Sequence, residues 1–227
     1  MKKVRILSYS DEPFQNRQEA AGLLADELTG FQAEKTVVLG IPRGGLVIAQ
    51  IIASHLSADL DIVLSRKLGA PSNPELAVGA ITEDGHVFFN ETIVAHLENR
   101  REYIEQEKAR QLEVIKRRVA LYRAILPKVP LKDRVVIVTD DGVATGATMQ
   151  AALWAIGQEK PKRLIALLPV GPADTIKKLS EDADEVICLK CPEFFAAIGQ
   201  FYNDFTQVED DQVLEILKKE AKRKGSR

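Results

Sequence analysis

Five short apolar runs punctuate the chain: 36–41 (TVVLGI), 61–66 (DIVLSR), 135–140 (VVIVTD), 163–170 (RLIALLPV) and 185–190 (EVICLK). Their aliphatic residues follow one another without alternation, as in strands buried on both faces. Most are separated by stretches whose apolar residues recur at three- and four-residue spacing. That spacing predicts helices over 15–29, 45–56, 148–158 and 173–182. Strand–helix alternation of this kind predicts an α/β fold, a parallel sheet of about five strands flanked by helices.

The alternation is interrupted between the second and third runs. Residues 77–90 hold Asp84-Gly85 between apolar stretches, a hairpin signal. Residues 91–125 then read as a long helix with Leu112, Ile115, Val119 and Tyr122 on its buried stripe. From Glu98 to Arg118, seven residues are basic and five acidic, a mixture that favours a solvated, ion-paired face over a nucleic-acid stripe. Pro127 and Pro130 close this insert. The expected partition is an α/β core over 1–190, with an inserted hairpin and long helix at about 77–126. A C-terminal segment over 191–227 follows, with an aromatic cluster and then a basic tail expected to fray.

Composition narrows the function classes. Of 227 residues, 45% are hydrophobic, enough for a real core, and the net charge of −2 argues against a general polyanion binder. Cys188 and Cys191 form a lone CxxC with no further ligands nearby, which reads as a small strand residue and a neighbour in the following loop. The N-terminal stretch lacks the apolar region of a secretory signal, and no run approaches the ~20 residues of a membrane helix. A reducing, cytoplasmic setting is the expectation.

The candidate chemistry lies where the third run ends, in TDDGVATGAT. Ligands of open α/β sheets bind beyond the carboxyl ends of the strands, and Asp140 and Asp141 fall at such an end. Adjacent carboxylates can accept hydrogen bonds from a vicinal diol or hold a divalent cation through water. The small residues that follow let backbone N–H groups converge on an anion, helped by the next helix N-terminus, while Thr145 and Thr148 add hydroxyl donors. A ribose 5-phosphate unit offers both a diol and a phosphate. The competing phosphate loops GxxxxGK[ST] and GxGxxG are absent.

DDGVATGAT resembles the 5-phosphoribosyl-1-pyrophosphate (PRPP) motif of the type I phosphoribosyltransferase family. The resemblance implies that Asp140 and Asp141 engage the ribose hydroxyls, directly or through Mg²⁺, and that Ala144, Thr145, Gly146, Ala147 and Thr148 cradle the 5-phosphate. Gly142 departs from the family's usual aliphatic residue and suggests a looser loop. Upstream, VVLGIPRGGLVIAQ is strand, turn and helix, with Arg43, Gly44 and Gly45 at the place of the family's pyrophosphate loop. In LSRKLGAPSNPEL, Arg66 and Lys67 match a basic pair near the pyrophosphate. The following run, 69–74, reads as a flexible loop and stands where the family has a loop that closes over the substrate.

The implied activity is Mg²⁺-dependent transfer of the phosphoribosyl group from PRPP to a nucleobase-like acceptor, releasing pyrophosphate, within nucleotide metabolism. Arg66, Lys67, Asp140 and Asp141 would be its catalytic residues. The acid that assists the base in 6-oxopurine members is replaced by Ala144, and Glu75 and Glu83 are weak substitutes. Residues 191–205 hold five of the 13 aromatics, and Phe194, Phe195 and Tyr202 are the candidates to stack on a base. Nucleic acid and membrane partners are not expected, and a homodimer is allowed. Two other readings stand beside this one: a PRPP-binding regulator without catalysis, and a phosphosugar or nucleotide hydrolase.

Overall fold

A computed structural model of the chain describes residues 3–28, 31, 35–70, 73–89 and 100–225. Its centre is a six-stranded sheet in which every pairing is parallel. The strands are β1 (Lys3–Ser8), β2 (Thr36–Gly40), β3 (Asp59–Ile62), β7 (Val135–Thr139), β8 (Arg163–Val170) and β9 (Glu185–Lys190). They lie in the order β1-β9-β8-β7-β2-β3. All five residues of β2 and of β7 are buried, which is why these segments read as unbroken aliphatic runs.

Consecutive residues of one strand enter opposite cores. Val38 and Ile137 face α1 (Arg17–Asp26) and α2 (Gly44–His55). Val37 and Val138 face the other two helices, α4 (Ala147–Gly157) and α5 (Ala173–Leu179). The α/β class and the flanking helices are those the pattern predicts. The sixth strand, β1, is not among the predicted runs. It pairs on one side only, with β9, and its exposed or half-buried KVRILS carries too many charges to read as an apolar run.

The interruption is a second sheet, three-stranded and antiparallel: β4 (Arg66–Ala70), β5 (Asn73–Ile81) and β6 (Val87–Phe89). The Asp84-Gly85 hairpin forms as expected between β5 and β6, with Gly85 at φ 78°. The second apolar run splits: β3 stops at Ile62, and Arg66 opens β4 in the small sheet rather than closing a strand of the large one. The flexible loop expected over 69–74 is, where described, a bulged ladder pairing Gly69 with Ala77 and Ala70 with Asn73; Pro71 and Ser72 lie outside the described residues. Glycine-rich composition is outweighed there by the apolar Leu68, Ala70, Val78 and Ile81, which bury one face.

Helix α3 (Arg100–Arg123) packs Leu112, Ile115 and Val119 on that small sheet, and the predicted helical residues 91–99 lie outside the described ones. The last helix, α6 (Asp210–Gly225), buries Val213, Ile216 and Leu217 against the face of α2. The basic tail therefore does not fray as expected over its described length. Buried Glu220 accepts a hydrogen bond from Leu60 N on edge strand β3 (3.2 Å), and Arg223 donates to Ala58 O. The helix thus satisfies an edge that would otherwise expose backbone groups. Among the described residues, no helix is long and apolar enough to cross a membrane.

Candidate active site

Strand β7 delivers Asp140 and Asp141 to the carboxyl rim of the large sheet, and the turn before α2 meets them there. A Cβ placed on Gly44 would stand 1.9 Å from Asp141 Oδ2, and one on Gly45 would stand 2.7 Å from Asp140 Cα. Only glycine leaves room for this approach. The peptide between Pro42 and Arg43 is cis. Two motifs almost a hundred residues apart in the chain thus share one wall, because β2 and β7 are neighbours in the sheet with Gly40 beside Thr139.

The acid pair is held by groups that no local motif announces. Arg17 sits at the start of α1, where Asn16 caps the helix by accepting from Glu19 N (3.0 Å). Its Nε donates to Asp141 Oδ2 at 2.8 Å, its Nη2 lies 2.8 Å from the same oxygen, and its Nη1 donates to Thr206 O at 2.9 Å. The guanidinium carbon lies 4.0 Å from the centre of the Phe205 ring, within cation–π range. The Tyr202 hydroxyl donates to Asp141 O at 2.7 Å. Asp140 Oδ1 accepts from Asp141 N at 2.8 Å. Burial, and next the adjacent Asp141, push the Asp140 carboxyl well above the usual carboxylate range. Burial, then Asp141, also raise the Tyr202 phenol.

The loop after the pair is closely fitted. Gly142, expected to loosen it, is buried with φ 154°, and a Cβ there would lie 2.7 Å from Ile198 Cγ2. The glycine lets the short turn at Ile198–Phe201 close on the loop. Ala144, Thr145 and Thr148 are exposed, whereas Gly146 and Ala147 are buried. Gly146 takes left-handed backbone (φ 77°) at the N-terminus of α4, and Ala144 O accepts from Thr175 Oγ1 at 2.9 Å. First-turn N–H groups of a helix have no partner within the helix, so this rim presents donors to an anion.

The remaining candidates are dispersed. Arg66 is half-buried at the start of β4, and its Nε donates to Gln111 Oε1 on α3, not to the acid pair. Lys67 follows it, half-buried and paired in the ladder with Ala80. Arg43 reaches Glu209 (3.2 Å). Glu83 is ion-paired to Arg123 (2.8 Å) and Lys128 (3.4 Å), away from the acid pair, and Glu75 falls on β5. Phe194 is 81% exposed. Phe195 packs tilted against buried Phe201, with ring centres 5.0 Å apart, and buried Tyr202 stacks at 4.9 Å on Phe205. Beside them a cleft of about 520 Å³ is lined by Tyr9, Pro172, Ala173, Asp174, Cys191 and Phe195, a size typical of small-molecule pockets. Among the described residues, no group of three or more acidic, histidine or cysteine side chains could cage a metal.

A parallel sheet whose rim joins an acid pair, a small-residue loop and a glycine turn defines the class. The phosphoribosyl transferase domain matches residues 14–206, and the chain belongs to that family. It is 38% identical over 204 residues to a Mycobacterium tuberculosis protein provisionally named a phosphoribosyl transferase. That match covers 90% of this chain, and the chain spans 46% of the relative's length. The crystal structure of TT1426 from Thermus thermophilus superposes with a TM-score of 0.85 at 42% identity, covering 91% of this chain and 98% of that one.

Proposed function

We propose that the protein is a phosphoribosyltransferase that binds PRPP at this rim and transfers its phosphoribosyl group to a nucleobase-like acceptor, releasing pyrophosphate. The observation that carries the reading is the contact of the Gly44 backbone with the Asp141 carboxylate. A ligand long enough to place a diol on the acids has its phosphate at the 144–148 loop and its diphosphate at the Arg43–Gly45 turn.

The residues have separable tasks. Asp140 and Asp141 accept hydrogen bonds from the ribose hydroxyls and oppose the positive charge that develops on the ring as the C1–O bond breaks. The backbone N–H groups near Gly146 hold the 5-phosphate. Arg43 lies at the diphosphate end, where the leaving group gains charge. The acid pair does not amount to a metal cage, but it fits Mg²⁺ held mainly by substrate oxygens and water, the usual manner for that ion. Bound so, the ion would neutralise diphosphate charge. The cleft between Tyr9, Pro172 and Phe195 is the proposed acceptor pocket, with exposed Phe194 at hand to cover a planar base.

Thermal unfolding with PRPP and Mg²⁺ tests the binding claim. A ligand at a hundred times its Kd adds about 2.7 kcal/mol, which for a chain of this size raises Tm by about 5–10 °C. Asp140→Asn with Asp141→Asn should remove the rise, and pyrophosphate release should then require a base from a nucleobase panel. No rise with wild-type protein rejects PRPP binding. Release without a base identifies a hydrolase, and a rise without release identifies a binder.

A further inference from the structure

Helix α3 touches the candidate residue Arg66 through Gln111, and its inward stripe runs from the small sheet to the main core. Gln111, Ile115, Arg118 and Tyr122 are spaced four, three and four residues apart and so share one face. Gln111 accepts from Arg66. Ile115 packs in the small-sheet cluster with Leu68 and Ile81. Tyr122 is buried in the main core, and its hydroxyl donates to Asp210 Oδ1 at 3.3 Å. Asp210 follows Glu209, the partner of Arg43. Arg118 therefore stands where the helix passes from the small sheet to the large one. Two turns before it is Gln111, which holds Arg66, and one turn after it is Tyr122, which reaches the segment that holds Arg43.

The charge balance at this junction is uneven. Arg110 is matched by Glu107 at 2.8 Å. Arg66 gives its Nε to a neutral amide, and Arg118, half-buried, has no ion pair or hydrogen bond among the described residues. Burial, then Arg118 and Arg110, hold Arg66 below the ordinary arginine value. Burial, and next Asp210, raise the Tyr122 phenol, while Arg118 and Arg43 oppose the rise. Arg118 thus stands between the anchor of Arg66 at Gln111 and the anchor of Arg43 at Glu209, and Glu107 and Glu209 are already committed to Arg110 and Arg43. Like charges held together repel, and an anion that bridges them removes the repulsion.

We infer that Arg118 of the inserted helix joins Arg43 and Arg66 in a cationic subsite for the diphosphate end of the substrate, so that the insert supplies a binding residue in cis. This rests on the PRPP reading of the acid pair and extends it. The insert, on this account, is a rigid arm that carries charge to the leaving group. Arg117, one residue away, points outward and pairs with Glu113 at 3.4 Å. It supplies a control with the same charge loss.

Calorimetric titration of the full chain with Mg²⁺–pyrophosphate, and separately with ribose 5-phosphate, tests the inference. Arg118→Ala is expected to weaken pyrophosphate binding about tenfold or more, the worth of a charge-assisted hydrogen bond. Arg118→Lys should recover part of that loss, and Arg117→Ala should change it little. Ribose 5-phosphate affinity should be the same in all four proteins. If Arg118→Ala does not fold, Arg118→Gln and Arg118→Lys carry the comparison. Equal pyrophosphate affinity in wild type and the Arg118 variants overturns the inference and leaves the PRPP reading standing. Wild-type protein that binds neither ligand overturns both.

Discussion

Asp140 and Asp141 set two carboxyl groups side by side at a half-buried rim, and Arg17 is the cation that meets them. Its forked contacts with Asp141, its bond to Thr206 O and its place over Phe205 all depend on a planar guanidinium. Removing one partner of a largely buried ion pair leaves the other uncompensated, at a cost of about 3–5 kcal/mol. The side chains of Arg17 and Asp141 are 9% and 13% exposed, so the upper part of that range needs some discount for solvent. Arg17→Ala should therefore lower stability in urea by about 3 kcal/mol. Arg17→Lys should cost less while still loosening Asp141. If Arg17→Ala unfolds at the wild-type urea midpoint, the guanidinium is a bystander and the acids are held by Tyr202 and the backbone alone.

Among the elements, the insert is the one whose attachment matters most. Arg123, the last residue of α3, binds Asp61 on β3 at 2.5 Å and Glu83 on the hairpin at 2.8 Å, so one side chain ties helix, small sheet and large sheet together. Asp61 is 1% exposed and also accepts from Val129 N at 2.8 Å. Burial works against the charge of Arg123, but Asp61 and Glu83 more than offset it and raise its pKa. Arg123→Ala should cost about 3–5 kcal/mol by stranding Asp61. It should also increase hydrogen exchange in β4 and β5 more than in β7. Uniform exchange across both sheets would mean that the insert is held by its apolar contacts instead. The sequence shows what depends on neighbours in the chain: the buried strands, the Asp84-Gly85 hairpin, the acid pair with its small-residue loop, and the glycine turn. It does not show what depends on which segments meet. The Arg17–Asp141 contact joins residues 124 positions apart. The destination of Arg66 depends on a helix that folds back over it. Edge strand β1 has only one neighbour to bury it, so its sequence stays polar.

For the molecule as a whole, the acid pair links function to stability through protons. Asp140 is raised well above the ordinary aspartate value by burial and then by Asp141, and burial also raises Asp61 despite Arg123. A carboxyl whose folded pKa exceeds its unfolded one binds more protons in the native state. Stability is then greatest below the unfolded value, falls as pH rises toward the folded value, and is level above it. Asp140→Asn removes that step. The variant should match wild type near about pH 4 and exceed it in Tm near about pH 7, by about 2–4 °C for each kcal/mol of relief. The same variant should lose most of its stabilisation by PRPP, since an amide accepts hydrogen bonds from the ribose hydroxyls less strongly than a carboxylate. A site that destabilises the empty protein and is relieved by its ligand is the expected compromise of activity with stability. Parallel wild-type and Asp140→Asn profiles from about pH 4 to about pH 7 would show instead that solvent, not the fold, sets the protonation of Asp140, and the rim would then lack the electrostatic tension that the proposed chemistry uses.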